Sequence, residues 1–491
     1  MPVRALPAAL LAVLALALVS ALPAAPAAAA TKRPNIVFVL TDDLSANLIK
    51  YMPHVKAMER RGTTFSRYIV SDSLCCPSRA SMLTGQYPHD TGVLSNLPPT
   101  GGFRTFQTRG DESHTFATAL QARGYRTGFM GKYMNGYQPR FAPGATTGHV
   151  PPGWTEWDAA GNGYPEFGYA LNENGTVVRY GKRPEDYLTD VISARGTAFI
   201  DRAAAARQPF LLQLSTFAPH KPYVPATRDA HTFGGLKAPR TKAWDRKVAN
   251  APAWLASRAR LTAKQIAGID SDFRNRVRSV QAVDEMLGRI ETTLRTHHIA
   301  DDTYLVFTSD NGYHMGEHRL LPGKQTAFDT DVRVPFVVTG PHVPGHRTVS
   351  RLASNVDLRP TFGRLAGAPP QRSLVDGVSL VPLLHGHRVG RWRGADLIEH
   401  LGPDTDPQDP DKQTKAAGAP PSYDAIRTAN AVYVEYANGA HEYYDLNADP
   451  LELTNIYGRL GRGRKAHLHR IVAALKACHG QRSCLKASRT P

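Results

Sequence analysis

The chain has 491 residues, of which 42% are hydrophobic and 21% are charged, and its formal net charge is +17. This is an ordinary globular composition, and the length is too great for one hydrophobic core, so two domains are expected. Four cysteines are too few for a disulfide-rich scaffold, although Cys478 and Cys484 could close a small loop in an oxidising compartment.

The positive charge is concentrated near the C terminus, where residues 458–491 contain nine Lys or Arg and no Asp or Glu. Such a balance is compatible with nucleic acid, an anionic surface or an acidic substrate. No nucleic-acid motif with interleaved aromatic residues is present, so nucleic acid is not expected as a partner. A polyanionic glycan and a merely solvated basic tail are the two remaining interpretations.

Residues 1–30 have the features of a secretory signal peptide. Arg4 supplies the positive start, Ala8 to Val19 form a twelve-residue apolar run, and small residues at Ala27 to Ala30 offer a cleavage site. The run is shorter than the ~20 residues that a membrane span requires. We therefore expect an exported protein, extracellular or periplasmic, whose mature chain begins near Thr31 and is not held in a membrane.

Polar side chains follow two predicted buried strands. Asn35 to Leu40 and Thr303 to Phe307 are continuous apolar, β-branched runs typical of buried parallel strands. The first run is followed by Asp42-Asp43 and the second by Asp310-Asn311. Open α/β sheets place ligands at the carboxyl ends of their strands, and Ca²⁺ or Mg²⁺ prefers carboxylate and amide oxygens. The sequence therefore predicts one divalent-cation site.

The segment from Cys75 to Gly85 predicts a short helix beginning beside a sulfur atom. Pro77 suits the first helical turn, and Gly85 is placed to end the helix in the left-handed conformation. Cys75 would lie just before the helix N-terminus, where free N–H groups attract negative charge, with the Arg79 guanidinium near the same end. A structural or disulfide-bonded cysteine is the alternative; otherwise this geometry predicts an anion site.

Further elements follow from the pattern of apolar residues. The predicted elements are a strand at Phe210–Ser215, a strand at Arg333–Val338, an amphipathic helix at Phe273–Leu294, a linker or exposed loop at Leu401–Ser422, a small meander between Ala425 and Tyr444 turning at Asn438-Gly439, and a final basic helix with Leu468, Ile471, Val472 and Leu475 inward.

The order Cys75-X-Pro77-Ser78-Arg79, closed by Thr84-Gly85, resembles the signature of the type I sulfatases. In that family the first cysteine is oxidised after synthesis to formylglycine, which here would be Cys75, by a formylglycine-generating enzyme. The doubled Cys75-Cys76 resembles the N-acetylglucosamine-6-sulfatase and extracellular endosulfatase branch.

The resemblance implies a complete set of site residues. The implied metal ligands, usually for calcium with magnesium possible, are Asp42, Asp43, modified Cys75, Asp310 and Asn311; the implied catalytic groups are Cys75, Arg79, Lys132, His220 and Lys324, with His314 as an additional sulfate ligand. His318 is expected to be structural or to face the substrate. Many sulfatases carry a histidine two residues after the lysine at position 132, where this chain has Met134.

The implied fold is α/β and alkaline-phosphatase-like: a large, mixed, mostly parallel sheet between helices, followed by a smaller antiparallel sheet with a helix. We place the catalytic domain at residues 31–385 and the C-terminal α+β subdomain at residues 386–491. The implied reaction is hydrolysis of sulfate monoesters, on sulfated sugars of the N-acetylglucosamine 6-sulfate type or on aryl sulfates. The alternatives are a phosphonate or phosphate ester hydrolase of the same superfamily and a catalytically inactive glycan-binding protein.

Overall fold

The computed structural model describes residues 1–2, 33–140, 148–403 and 406–489, so the predicted signal peptide lies almost wholly outside the described residues. The described strands are β1 (Asn35–Thr41), β2 (Thr63–Phe65), β3 (Tyr68–Ile69), β4 (Arg126–Lys132), β5 (Glu156–Ala160), β6 (Ala170–Glu173), β7 (Thr176–Arg179), β8 (Phe210–Ser215), β9 (Thr303–Ser309), β10 (Phe336–Thr339), β11 (Arg347–Val349), β12 (Ala353–Ser354), β13 (Ala395–His400), β14 (Tyr423–Thr428), β15 (Ala431–Tyr436) and β16 (His441–Asp445).

Helices cover both faces of the largest sheet. The described α-helices are α1 (Pro53–Arg61), α2 (Cys75–Thr84), α3 (Pro88–Thr91), α4 (Gly102–Thr108), α5 (Phe116–Gln121), α6 (Leu188–Ala205), α7 (Ala253–Ala256), α8 (Ala263–Thr296), α9 (Asp329–Val332), α10 (Leu358–Leu365), α11 (Val381–Leu384), α12 (Arg462–Lys476) and α13 (Gln481–Ala487). Among the described residues, no helix combines the length and apolar composition that crossing a membrane needs.

The largest sheet has ten strands in the order β11-β2-β10-β9-β1-β8-β4-β5-β6-β7. Its five central strands, from β9 to β5, are parallel. Antiparallel pairings flank them on both sides. The predicted large mixed, mostly parallel sheet is therefore confirmed.

Strand β1 is buried on both faces, as its continuous apolar sequence predicts. Ile36 and Phe38 pack into the cluster on one side of the sheet, whereas Val37 and Val39 pack into the cluster on the other side. Alternate side chains of a strand point to opposite faces, so an uninterrupted apolar run is what a sheet covered on both sides requires. This arrangement fixes β1 at the centre of the molecule.

Two predicted boundaries differ from the observed ones for local reasons. Helix α8 begins at Ala263, ten residues before the predicted start, because the Thr262 side chain accepts a hydrogen bond from the Gln265 backbone N–H and caps it there. The strand predicted from Arg333 begins only at Phe336 in β10, since Arg333 ends helix α9 and Pro335 has no N–H to donate.

A four-stranded antiparallel sheet, β13-β14-β15-β16, forms the C-terminal part of the structure. Helix α12 packs on it through Leu468, Ile471, Val472 and Leu475, as predicted. Cys478 and Cys484 form a disulfide. Strand β13 was not predicted, and the division of the chain between residues 385 and 386 stays a prediction.

Candidate active site

The predicted metal ligands follow two neighbouring strands. Strands β1 and β9 are parallel neighbours, with Thr41 opposite Ser309 at their carboxyl ends. The pairs Asp42-Asp43 and Asp310-Asn311 are therefore delivered to one place, and all four side chains are buried. The Asn311 Nδ2 donates to Asp43 Oδ1 at 2.7 Å, and the Asp43 backbone N–H donates to Asp310 Oδ1 at 3.2 Å.

Helix α2 brings a sulfur atom to the same place. Cys75 is the first residue of this helix rather than the residue before it, and Gly85 ends the helix at a φ of 73°. The Cys75 Sγ lies 3.2 Å from an Asp42 carboxylate oxygen. Burial is the main cause that raises the pKa of the Cys75 thiol well above its ordinary value. The unmodified side chain is thus a neutral, weakly nucleophilic thiol.

Two lysines that are far apart in the sequence lie close to this sulfur. The Lys132 Nζ lies 3.4 Å from Cys75 Sγ and 2.5 Å from Asp42 Oδ2. The Lys324 Nζ lies 3.0 Å from Cys75 Sγ. Gly131 makes the approach of Lys132 possible: its φ is 105°, and a Cβ there would lie 2.0 Å from the Ser215 carbonyl oxygen.

Arg79 is held rigidly, with one donor left over. Its Nε donates to Asp310 Oδ2 at 2.8 Å, and its Nη1 donates to the Lys132 carbonyl oxygen at 2.8 Å. Its buried Nη2 has no hydrogen-bond partner among the described residues, and its distance to an Asp42 oxygen is 3.9 Å. An anion entering the site would meet this free donor without any rearrangement of the guanidinium.

Burial and the neighbouring charges shift the pKa values of Asp42 and Asp310 in opposite directions. Burial and the neighbouring Asp310 carboxylate raise the pKa of Asp42 to about 6, against the opposing attraction of Lys132. Burial would also raise the pKa of Asp310, but Arg79, Lys132 and Lys324 outweigh it and hold that pKa at about 2. Asp310 is therefore more firmly ionised than Asp42.

His220 stands at the edge of the same cluster. It is buried, its Nε2 lies 3.7 Å from Asp43 Oδ2, and its Nδ1 lies 2.6 Å from the Lys221 carbonyl oxygen. Burial disfavours the charged imidazolium, but the Asp411, Asp42 and Asp43 carboxylates outweigh it and raise the pKa of His220. The raised pKa favours the imidazolium, whose Nε2 contacts Asp411 Oδ1 at 2.6 Å in this structure.

Asp411 is a site residue that the sequence analysis missed. Its Oδ1 lies 2.6 Å from His220 Nε2 and 2.9 Å from Lys324 Nζ, and its Oδ2 accepts from the Asn96 amide at 2.8 Å. The segment 401–422 is a loop with several exposed residues, as one of the two predicted readings has it, but Asp409 and Asp411 within it are buried. Its Pro-, Asp- and Gly-rich composition contains no signal that distinguishes Asp411 from its neighbours.

His314, which the resemblance implies as an additional sulfate ligand, is bonded through both ring nitrogens. Its Nδ1 is bonded to Asp331 at 2.9 Å, and its Nε2 to the Ala417 carbonyl oxygen at 2.9 Å. These two bonds join His314 to the segments of Asp331 and Ala417, and its role as a sulfate ligand stays a prediction. His318 is structural: it is buried, it stacks on Phe328, and its Nε2 bonds the Leu451 carbonyl oxygen.

Tyr164 and Asn135 complete the wall around Lys132. The Tyr164 ring centroid lies 4.9 Å from Lys132 Nζ and 4.6 Å from the His220 ring centroid. The Asn135 amide donates to the Tyr164 hydroxyl at 3.2 Å, while its backbone N–H donates to Cys76 Sγ at 2.9 Å. Met134 itself packs in the hydrophobic core. This is the position at which many sulfatases have histidine.

The donor atoms present fit a hard divalent cation. Ligand atoms of Asp42, Asp43, Cys75 and His220 lie within 4.8 Å of one another. The buried Asn311 Oδ1 has no hydrogen-bond partner among the described residues, although its amide group is fixed by two donated bonds. A buried carbonyl oxygen without a partner is costly, and coordination of a cation would give the Asn311 Oδ1 a partner.

The charges lead to the same conclusion. The four carboxylates, Asp42, Asp43, Asp310 and Asp411, outnumber the permanently charged side chains, Arg79, Lys132 and Lys324. With protonated His220, the form that its raised pKa favours, the four carboxylates are balanced by four cations, so the cluster does not by itself attract an anion. A divalent cation would make the net charge positive and the site receptive to a sulfate ester.

Comparison with known proteins points to one family. A family model described as Sulfatase matches residues 34–368, and a model described as N-sulphoglucosamine sulphohydrolase, C-terminal, matches residues 316–477. The human (Homo sapiens) N-acetylglucosamine-6-sulfatase is 33% identical over 97% of this chain and 90% of its own length. The Drosophila melanogaster extracellular sulfatase SULF-1 homolog is 33% identical over 76% of this chain and 33% of its own length.

A solved structure shows the same fold. BT4656, in complex with its substrate D-glucosamine-2-N,6-O-disulfate, matches with a TM-score of 0.75 and 22% identity, over 90% of this chain and 97% of that chain. At this identity the likeness concerns the arrangement of the strands and helices.

Proposed function

Because the chain belongs to the sulfatase family and is a sulfuric ester hydrolase, we propose that it removes the 6-sulfate from N-acetylglucosamine-type sugars. The observation that carries this proposal is the convergence of Lys324 and Lys132, 3.0 and 3.4 Å from Cys75 Sγ, beside the four predicted metal ligands. The choice of sugar is supported by the human relative, which is named N-acetylglucosamine-6-sulfatase and spans nearly the same length.

A formylglycine at Cys75 and a divalent cation, calcium or magnesium, would complete this site. The hydrated aldehyde would supply the nucleophile, and the cation, held by Asp42, Asp43, Asp310 and Asn311, would supply positive charge beside it. The fit is supported by the buried Asn311 Oδ1, which has no hydrogen-bond partner among the described residues.

The chain's own cations address the main difficulty of the reaction, which is that a sulfate ester repels nucleophiles. Arg79, Lys132 and Lys324 are buried and fixed by carboxylates, so they can surround sulfate oxygens without reorganising. The Arg79 Nη2 is the donor that no described residue uses. His220, whose raised pKa favours the imidazolium, would give a proton to the departing sugar oxygen from Nε2, which contacts Asp411 in this structure.

We also propose that residues 1–30 direct export and that a formylglycine-generating enzyme modifies Cys75 before the chain has folded. Cys75 is fully buried at the start of helix α2. A modifying enzyme could not reach it in the folded molecule. The extracellular sulfatase named among the relatives supports secretion.

The proposal is tested by sulfate release from N-acetylglucosamine 6-sulfate, with an aryl sulfate and a phenylphosphonate monoester assayed in parallel. Aldehyde content at position 75 is measured by mass spectrometry; the rates of proteins that retain Cys75 are divided by it, and the rate of Cys75→Ala is given per total protein. We expect the sugar sulfate to be turned over fastest and Cys75→Ala to lose all turnover. Cys76→Ala serves as the matched control and should keep more than a tenth of the wild-type rate.

Two outcomes would contradict the proposal. Undiminished turnover by Cys75→Ala would exclude residue 75 as the nucleophile. Faster hydrolysis of the phosphonate than of both sulfates would favour the phosphonate hydrolase alternative, and binding of sulfated sugar without any turnover by aldehyde-containing protein would favour a glycan-binding protein.

A further inference from the structure

A second cavity, of about 530 Å³, lies among helix α10, the segment that follows it and helix α13. Four arginines line it, Arg359, Arg364, Arg372 and Arg391, and its lining contains no Asp or Glu. Its remaining wall is largely apolar and includes Pro369, Pro370, Val375, Val378 and Trp392. The volume is within the range of small-molecule sites.

Arg359 is the unusual member of this group. Arg359 is only 4% exposed, and its Nη2 donates to the Gln371 side-chain oxygen. Its buried Nε and Nη1 have no hydrogen-bond partner among the described residues. Burial without a compensating carboxylate lowers the pKa of Arg359 to about 10. Buried charges are normally paired, so this guanidinium lacks an anion.

The other three arginines also lack acidic partners. Arg364, Arg372 and Arg391 are exposed, and no side-chain hydrogen bond or ion pair joins them to another residue in the described ranges. The carboxyl end of helix α10 explains the position of Arg364, because cations are favoured at the end of a helix. It does not explain the unpaired buried donors of Arg359.

This cavity is separate from the active site. Helix α2 starts at Cys75 and ends at Gly85, and ten residues at ~1.5 Å each span about 15 Å. Gly85 lies at the cavity end, since a Cβ there would be 3.1 Å from Arg359 Cβ. The two sites therefore occupy opposite ends of the same helix.

We propose that this cavity, hereafter the arginine cavity, binds a sugar ring that carries a sulfate or phosphate group. The tetrahedral oxyanion would take the free Arg359 donors and the exposed guanidiniums, which suit oxyanions by their planar, forked geometry. The proline, valine and tryptophan surfaces would contact the ring. The proposal does not depend on turnover at Cys75, although a sulfated sugar would connect it with the proposed substrate class.

The test uses the full-length Cys75→Ala protein, so that no probe is consumed. Isothermal titration calorimetry measures glucosamine 6-sulfate, glucosamine 6-phosphate, uncharged N-acetylglucosamine and inorganic sulfate. Arg364→Ser/Arg391→Ser removes two exposed arginines of the arginine cavity. Arg459→Ser/Arg462→Ser is the matched control, because these two arginines are exposed in the basic tail and do not line the cavity.

We expect the cavity variant to weaken binding of at least one charged sugar by tenfold or more and to remove one binding site per chain. The tail control should stay within twofold of the parent, and N-acetylglucosamine should not bind in the cavity. The charged sugar that binds more tightly identifies the oxyanion, sulfate or phosphate, that the arginine cavity prefers. Phenylglyoxal modification provides a residue-resolved check, since the bound probe should slow modification of Arg364 and Arg391 but not of Arg462.

Three results would overturn the proposal. One is identical binding of both charged sugars by the parent and the cavity variant. The second is an equal loss in the tail control, which would assign binding to the basic tail. The third is that inorganic sulfate binds as tightly as both charged sugars, which would show that the sugar ring contributes nothing to binding. None of these results depends on sulfatase turnover, so each can be separated from failure of the proposed function.

Discussion

Replacing Asn311 by Asp isolates the metal assignment from catalysis. The Asn311 amide donates to Asp43 Oδ1 at 2.7 Å and to the Gly312 carbonyl oxygen at 2.9 Å, while its own oxygen has no partner among the described residues. In Asn311→Asp the shape is kept, but both donated bonds are lost and two carboxylates face each other. The metal-free protein should be destabilised, and a cation should be bound more tightly.

The size of the effect follows from the buried geometry. Two lost hydrogen bonds and an uncompensated buried charge cost about 3–5 kcal/mol. Unfolding entropy of ~2.1 cal/mol/K per residue, over ~460 residues, means that 1 kcal/mol moves Tm by about 1 °C. Without metal, Tm should therefore fall by about 3–5 °C. Wild type should gain about 2.7 kcal/mol, or ~3 °C, at a calcium concentration of 100 Kd.

The assay is a thermal melt after EDTA treatment, repeated over a calcium series. Asn311→Asp should show a larger rise in Tm than wild type and a lower apparent Kd. Asn172→Asp is the control: this buried asparagine donates to the Tyr137 hydroxyl and the His149 carbonyl oxygen, both at 2.8 Å, away from the cluster. It should lower Tm equally with and without calcium. A calcium response in Asn311→Asp no greater than in wild type would refute Asn311 as a ligand.

Three further changes test the groups around the sulfur and the stability of the fold. Arg79→Lys should lower kcat/KM by ~10–100-fold per aldehyde-containing chain. A single ammonium cannot both bond Asp310, as the Arg79 Nε does, and offer a second donor in place of Nη2. A loss below threefold would contradict this. Burial lowers the pKa of His318 from 6.5 to about 4, so the folded state resists its protonation and loses ~2.5 kcal/mol as pH falls from 7 to 4.5. His318→Gln should reduce the fall in Tm over that range, and an unchanged fall would exclude His318 as its cause. Asp411→Asn removes the anion that contacts His220 and Lys324, so inorganic sulfate should inhibit ~10-fold more tightly in steady-state assays; unchanged or weaker inhibition would contradict this.

The elements that the sequence predicted well are those whose pattern is local and strong. Strand β8 has the predicted bounds, and β1 and β9 extend only one and two residues beyond theirs. Each is a continuous apolar run, and such a run in an α/β chain is stable only where both faces of a sheet are covered. The ends of β1 and β9 then bring Asp42 and Asp310 together, because parallel strands end at the same edge.

The contacts between side chains were harder to predict, since they depend on the rotamer and partner of each residue. His314 shows this. Its position in the stretch after β9 resembles a sulfate ligand, yet Asp331 and the Ala417 carbonyl oxygen occupy both of its ring nitrogens. A motif fixes where the backbone passes, but it does not say that a neighbouring loop will supply competing acceptors.

Asp411 was missed because the strand that fixes its loop was missed. Ala395–His400 forms β13, which pairs with β14 so that His400 lies opposite Tyr423. The Gly402 carbonyl oxygen then accepts from the Ser422 backbone N–H. Both ends of the segment 401–422 are therefore held side by side, and the chain between them must leave the small sheet and return to it. A linker separates two bodies, whereas a loop with adjoining ends stays beside its sheet and can cover residues that lie there. Here the loop covers His220 and Lys324. Had β13 been recognised in the sequence, the segment 401–422 could have been predicted to border the active site.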